Sequence, residues 1–247
     1  MSIINKSKIE WVDYGWNPVV GCLRGCPYCY ARKTIKRVSD IYATKEVDCI
    51  GRERTKGIWR RIDDFRPTFL EHVFDKSFSK KPSSIFFTVL TDPEYWKPEW
   101  SRRIFDKIRK HPQHTFIMLT KGPEQTYSGN IEIPYNVAVG ITAITDEQIR
   151  RAMKTFMNYR DHVRFLSIEP MIERIDPGLI NPKLVDLVIV GGLRGEPLAT
   201  NREWVDEFRY GKWRWFEFGT KYFEKNNLQK ILGRKLIQEL PWPISKA

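Results

Sequence analysis

From residue 84 onward, short unbroken apolar runs alternate with amphipathic stretches, and this alternation restricts the fold more than any other feature. SIFFTVL (84–90), TFIMLT (115–120), NVAVGIT (136–142), VRFLSIE (163–169) and LVDLVIVGG (184–192) read as strands apolar on both faces. That is the pattern of a parallel sheet covered on each side. Between them, PEWSRRIFDKIRKH (98–111) places Trp100, Ile104 and Ile108 at helical spacing. DEQIRRAMKTFMNY (146–159) is a helix with Thr145 as N-cap and Glu147 in its first turn. NREWVDEFRY (201–210) is helical, and KWRWFEF (212–218) reads as the last strand. The connection 170–183 carries three Pro and one Gly, so it need not hold a full helix. A strand around 17–21 brings the count to seven. The expected fold is α/β, a partial (β/α)6-type parallel barrel, open rather than closed and eight-fold. In such folds the chemistry sits at the C-terminal ends of the strands. The 247 residues read as a single domain, with a polar, basic, poorly periodic insertion at about 44–64.

The chain has four Cys, and three lie within eight residues, in WNPVVGCLRGCPYCYAR (16–32). In a cytosolic chain, such a cluster favours metal or redox chemistry over disulfides. The spacing is C-x3-C-x2-C, through Cys22, Cys26 and Cys29. Three thiolates leave one iron of a cubane [4Fe–4S] cluster without a protein ligand, whereas electron carriers supply four. An open iron can bind a substrate or cofactor. Gly21 and Gly25 permit tight turns, and Tyr28 can cover the cluster. The competing reading is zinc, with Cys49 as the fourth thiolate. Zinc sites commonly use two C-x2-C pairs, and no second pair exists here.

This motif at the end of a first strand resembles the signature of the radical S-adenosylmethionine (SAM) superfamily. The resemblance extends to IEWVDYGWNPVVGCLRGCPYCYAR, FIMLTKGPE, NVAVGIT, VRFLSIEPM, LVIVGG and the terminal GRKLIQELP, in that order. Together they resemble a phage-associated radical SAM family whose members mostly lack an assigned substrate. The resemblance implies a radical SAM core. It also implies a cluster whose open iron binds the amino and carboxylate groups of SAM, and an external one-electron donor. One-electron cleavage of SAM would then give methionine and a 5′-deoxyadenosyl radical that abstracts hydrogen from the substrate. The chain departs from that family at Leu193, where a Glu commonly follows the paired glycines; the nearest acid is Glu196.

SAM carries a carboxylate, an ammonium, a sulfonium and a ribose diol, so its site needs cations, acids and hydroxyl partners. Candidates lie just past strand ends. Thr91 and Asp92 follow the first run; Asp92 suits the ammonium, or else caps the turn before Pro93. Lys121 suits a carboxylate or phosphate, Thr142 a ribose or else a cap or turn, and Ser167 the cavity wall; Glu169 either faces the cavity or pairs with a base such as Lys121 or Arg164. Gly191 and Gly192 either let adenine approach the backbone or serve a positive-φ turn. Tyr28 offers its backbone to adenine, by the same resemblance. The four His read as surface or helix-end residues.

The net charge is +12, which attracts polyanions. Arg52, Arg54 and Arg60 interleave with Trp59 in the insertion, a mixture suited to phosphate contact and base stacking. A second basic group, Arg102, Arg103, Lys107, Arg109 and Lys110, reads as a solvated helix face. The expected substrate is a nucleotide or nucleic acid. A small amino acid or peptide is the second reading, and a non-catalytic zinc- or cluster-stabilised nucleic-acid-binding module the third. No apolar run of about 18 residues indicates a membrane span, and no leader is evident, so the expected compartment is the cytoplasm.

Overall fold

The computed structural model describes residues 4–38, 54–55, 58–59, 65–127, 131–193, 195 and 199–244. In chain order these form β1 (Asn5–Lys6), β2 (Tyr14–Gly15), β3 (Val19–Val20), α1 (Tyr30–Val38), β4 (Arg54–Thr55), β5 (Ile58–Trp59), β6 (Thr68–Phe69), α2 (Glu71–Phe74) and β7 (Ser84–Phe86). There follow α3 (Pro98–Arg109), β8 (Thr115–Thr120), α4 (Pro123–Tyr127), β9 (Val137–Thr142), α5 (Asp146–Phe156), β10 (Arg164–Ile168), β11 (Leu187–Val190), α6 (Arg202–Phe216), β12 (Lys221–Glu224) and α7 (Gln229–Leu232).

Eight strands make one sheet in the order β1-β2-β7-β8-β9-β10-β11-β12. All its pairings are parallel except the edge pair of β1 with β2. The chain is therefore a mixed α/β fold with a mostly parallel sheet. Among the described residues no ladder joins β1 to β12, so hydrogen bonding leaves the sheet open. No helix among them is long and apolar enough to cross a membrane.

Alternation along each strand divides the sheet into two faces. One carries Phe116, Val139, Leu166 and Val188 and is covered by Ile104 and Ile108 of α3, by α5 and by α6. The other carries Phe86, Ile117, Phe165 and Ile189, packed on Trp11 and Trp242. The Trp11 ring lies 5.0 Å from Phe86 and 5.9 Å from Phe165, and Phe165 lies 5.7 Å from Trp242. The Trp242 indole N–H donates to the Trp11 carbonyl at 3.0 Å, joining residues 231 apart in sequence. The C-terminal segment is fastened next to β12 by the fully buried Glu224. Its carboxylate accepts from Arg234 at 3.0 and 3.1 Å and from the Ile237 N–H at 2.8 Å.

Helix α5 begins as its sequence indicates: Thr145 Oγ1 accepts from the Gln148 N–H at 3.2 Å. The Gln148 Oε1 accepts from the Ile144 N–H at 2.8 Å, which completes a reciprocal cap. Residues 170–183 hold only single 3-10 turns at Pro177–Leu179 and, continuing to 184, Pro182–Leu184.

Several expectations are corrected. KWRWFEF is not the last strand: 212–216 continue α6, and the strand is Lys221–Glu224. Trp215 stands seven residues, two helical turns, from Phe208 and packs on it at 6.0 Å. Its every-other-residue aromatic pattern imitates a strand without being one. The strand around 17–21 is split. Only β2 joins the main sheet, while β3 pairs antiparallel with β6. Pro18 lacks the N–H that would continue the ladder, and the Asn17 side chain takes the Leu90 N–H instead, at 3.2 Å. His114 is buried rather than at the surface; its Nε2 meets the Ser79 carbonyl at 2.9 Å. Lys107 is not a solvated lysine either. Its ammonium lies over the rings of Trp16, Phe74 and Phe78 and donates to the Lys76 carbonyl at 2.8 Å. Of the insertion, only the β4–β5 pairing is described, with Arg54 in register with Trp59; Cys49, Arg52, Arg60 and Glu196 lie outside the described residues.

The aromatic floor on the Trp11 face carries a measurable share of the stability. Phe165→Ala is expected to cost about 3–5 kcal/mol, read as a lowered urea midpoint at unchanged slope. A loss under about 1 kcal/mol would show that the neighbouring aromatic rings refill the space.

Candidate functional site

The Trp11 face changes character toward the C-terminal ends of the strands. Register aligns Thr142 of β9 with Ser167 of β10, Ile189 of β11 and Phe223 of β12. Lys121, one residue past β8, falls beside Thr142 by continuation of the β8–β9 register. One layer further out, Glu169, Gly191 and Lys225 align in the same way. The period of two turns all these residues to the face that carries Phe165 below. Apolar strands thus end in a polar rim, as expected for the C-terminal side of a parallel sheet.

The cysteine loop is tied to this rim. The Gly21 N–H donates to the Leu90 carbonyl at 2.9 Å, and Thr91 Oγ1 donates to the Gly21 carbonyl at 2.8 Å. Gly21 has φ +104°, and a β-carbon there would collide with the Arg66 carbonyl, so only glycine fits. Cys22 donates its N–H to Phe65 at 2.7 Å. Cys22 and Cys29 pack against Val20, Ala31, Ile35, Phe65 and Leu70. The three cysteines are free thiols, each partly exposed. Backbone N–H groups of Arg24 and Arg32 point at the sulfurs of Cys22 and Cys29, both at 3.4 Å. Among the described residues no group of three His, Cys, Asp or Glu is arranged to hold a metal ion.

Beside the loop lies an open pocket of about 170 Å³, lined by Arg24, Cys26, Tyr28, Lys121, Thr142, Ile144 and Gln148. That is smaller than the usual small-ligand site. The Lys121 ammonium lies 5.5 Å over the Tyr28 ring. Burial pulls its pKa below the usual lysine value, while Cys26, Glu169 and Asp92 act in the opposite direction. Burial pushes the Tyr28 phenol up to about 12, and the neighbouring Cys26 thiol adds to that. Burial likewise pushes the Cys22 thiol up to about 12, opposed by the Arg24 N–H. A bound cation would reverse that preference, because it favours the thiolate.

Asp92 is the structural hub of the rim. Its Oδ1 accepts from Thr120 Oγ1 at 2.6 Å and from the Glu94 N–H at 3.2 Å, as the cap of a 3-10 turn. Its Oδ2 accepts from the Lys121 N–H at 2.9 Å and pairs with Arg24 at 3.7 Å. The capping role expected before Pro93 is thus the one it occupies. Thr91 also accepts from the Trp96 indole at 3.0 Å. Ser167 Oγ is buried and has no hydrogen-bond partner among the described residues. Glu169 is paired with Lys225 and not with Arg164, which pairs with Asp186 at 3.2 Å. Neither Gly191 nor Gly192 has positive φ. Gly191 is bare because the pair crosses it: a β-carbon would lie 2.9 Å from Lys225 Cδ and 3.2 Å from Glu169 Cδ. Gly192 instead exchanges hydrogen bonds with the Asn227 side chain, at 3.2 and 2.6 Å.

Sequence reasoning missed Arg24, Gln148 and Lys225. Arg24 sits inside the cysteine motif and pairs with Glu94 as well as Asp92. Gln148 was legible as the third helical residue after the Thr145 cap. Lys225 follows β12 and stays hidden while the last strand is placed at 212–218.

These features define an α/β protein with a thiol-bearing pocket on the C-terminal rim of a parallel sheet. The chain belongs to the family described as Protein of unknown function (DUF5131), whose model matches residues 6–225. No curated protein and no solved structure matches it.

The raised Cys22 pKa has a direct consequence in protein kept free of metal. The thiolate is the nucleophile, so alkylation of Cys22 by iodoacetamide should be slow at pH 8 and keep accelerating from pH 9 toward about 12. Mass spectrometry of the Cys22 peptide measures this; a rate that levels off near pH 9 contradicts it. By linkage, the raised pKa stabilises the metal-free fold below pH 9, and that contribution is lost as pH climbs toward 12.

Proposed function

We propose that this chain is a radical SAM enzyme with a [4Fe–4S] cluster on Cys22, Cys26 and Cys29, acting on a nucleotide or nucleic acid. The reading includes the partial parallel barrel of that superfamily. The observation that carries it is the position of the C-x3-C-x2-C loop: bound to the strand ends, with Cys26 lining an open pocket beside them. The donor chemistry supports the same reading. Three thiols within one eight-residue stretch suit a cluster with one open iron. N–H groups directed at two of the sulfurs, with Arg24 and Lys121 nearby, offset the charge of ligated thiolates. Contact of Trp11 with rings from both β7 and β10, strands about 14 Å apart in a flat sheet, supports that part of the reading.

When bound, the cluster and SAM would supply one-electron cleavage to a 5′-deoxyadenosyl radical; the protein contributes binding, orientation and exclusion of water. Lys121 is available to a carboxylate, and Thr142 presents a hydroxyl to a ligand in the same pocket. Tyr28 shields the Cys26 side. The net charge of +12 and the basic β4–β5 segment support a polyanionic substrate.

Anaerobically reconstituted protein should be brown and contain iron and sulfide. With reductant it should release 5′-deoxyadenosine from SAM. Cys22→Ala, Cys26→Ala and Cys29→Ala should each abolish colour and cleavage while the thermal transition persists. Protein that takes up one zinc on four side chains, and no sulfide, ends this reading. Affinity for single-stranded DNA or RNA should fall steeply between about 50 and 200 mM salt; salt-independent binding argues against the nucleic-acid half.

A further inference from the structure

The rim has two halves. The pocket by Cys26 lies over β8 and β9. Over β10 to β12, outside that pocket, stands the Glu169–Lys225 pair. Lys225 Nζ donates to Glu169 Oε1. The second carboxylate oxygen accepts no hydrogen bond among the described residues. Both side chains are part-exposed, at 27% for Glu169 and 15% for Lys225, so a ligand can reach them. Gly191 between them carries no side chain, which leaves the pair flat against the sheet. One layer below, Ser167 Oγ is buried without a partner among the described residues, a donor directed to the same face.

We propose that Glu169 and Lys225 recognise the substrate, as a neutral nucleobase edge with two adjacent N–H donors beside a carbonyl, the pattern of guanine. This rests on the nucleotide or nucleic-acid reading above. The pair carries one charge of each sign. Glu169 disfavours a phosphate or carboxylate, and Lys225 disfavours a guanidinium or ammonium. A neutral ligand with donors and an acceptor side by side meets both groups. A carboxylate accepts two parallel N–H bonds, and an ammonium donates to a carbonyl. Guanine supplies N1–H and N2–H to Glu169 and O6 to Lys225. Adenine and cytosine offer a single such donor, and a pyrimidine imide lacks the second N–H. The position fits the division of labour, since the pair flanks the pocket beside the cysteines and does not enter it.

The test is titration calorimetry of the full chain, purified anaerobically, without SAM or reductant so that no turnover is required. The probes are guanosine, inosine, adenosine, cytidine, uridine and methionine. Guanosine should bind about tenfold more tightly than adenosine, in line with one good bidentate contact. Inosine, which lacks the N2 amino group, should fall between them. Glu169→Gln and Lys225→Met should each remove the preference for guanosine, and Lys225→Arg should keep part of it. Thermal melts of the same samples report folding, and Lys225→Arg keeps the test open if Lys225→Met does not fold. Equal affinity for all nucleosides, preference for adenosine, binding of methionine alone, no binding, or a preference that survives both variants overturns the proposal. Failure of the radical reading shows elsewhere, as absent iron, sulfide or 5′-deoxyadenosine, with these affinities unchanged.

Discussion

The rim is organised around the buried carboxylate of Asp92. Its two oxygens reach Thr120, the Glu94 and Lys121 backbone N–H groups, and Arg24. Those partners belong to the end of β7, the end of β8 and the cysteine loop. Burying a carboxylate is costly unless hydrogen bonds and an opposite charge offset the lost hydration. Here they do, and the result is one rigid corner. It fixes the Lys121 backbone, and through Arg24 it fixes the loop between Cys22 and Cys26. The groups that shape the pocket inherit their positions from a residue that is itself fully engaged.

Much of this was legible from the residues. Strands β8 to β11 follow from apolar runs, α5 from its Thr145 cap, and the polar rim from residues just past strand ends. Two failures have physical causes. The Trp-rich stretch 212–218 alternates like a strand, yet Phe208 and Trp215 lie on one helical face, and tertiary packing decides between the two periods. That error displaced the last strand and concealed Lys225. Asp92 illustrates the opposite limit. Its place past a strand marked it as important, but sequence does not reveal that Thr120 and the Lys121 N–H already occupy its oxygens.

Residue parity explains why the candidate residues gather. Lys121, Thr142, Ser167, Glu169, Gly191 and Lys225 come from five strands that run in one direction. Parallel register keeps equivalent positions level, and alternation sends them to one side. A polar residue placed one position earlier or later would meet the helix-covered face and need a buried partner of its own, as Thr120 has in Asp92 and Glu224 in Arg234. This is why Thr120 and Lys121, adjacent in sequence, have different fates: Thr120 becomes a ligand of Asp92, and Lys121 enters the pocket.

The bond from the Trp242 indole to the Trp11 carbonyl joins the two extremes of the described chain beneath the sheet. During synthesis on the ribosome, the cysteine loop and every strand through β12 emerge before Trp242 does. Until then the underside of the Trp11 face lacks its last aromatic plug, and water has access from below. Closure of that floor therefore waits until the segment carrying Trp242 has been made and packed against Trp11.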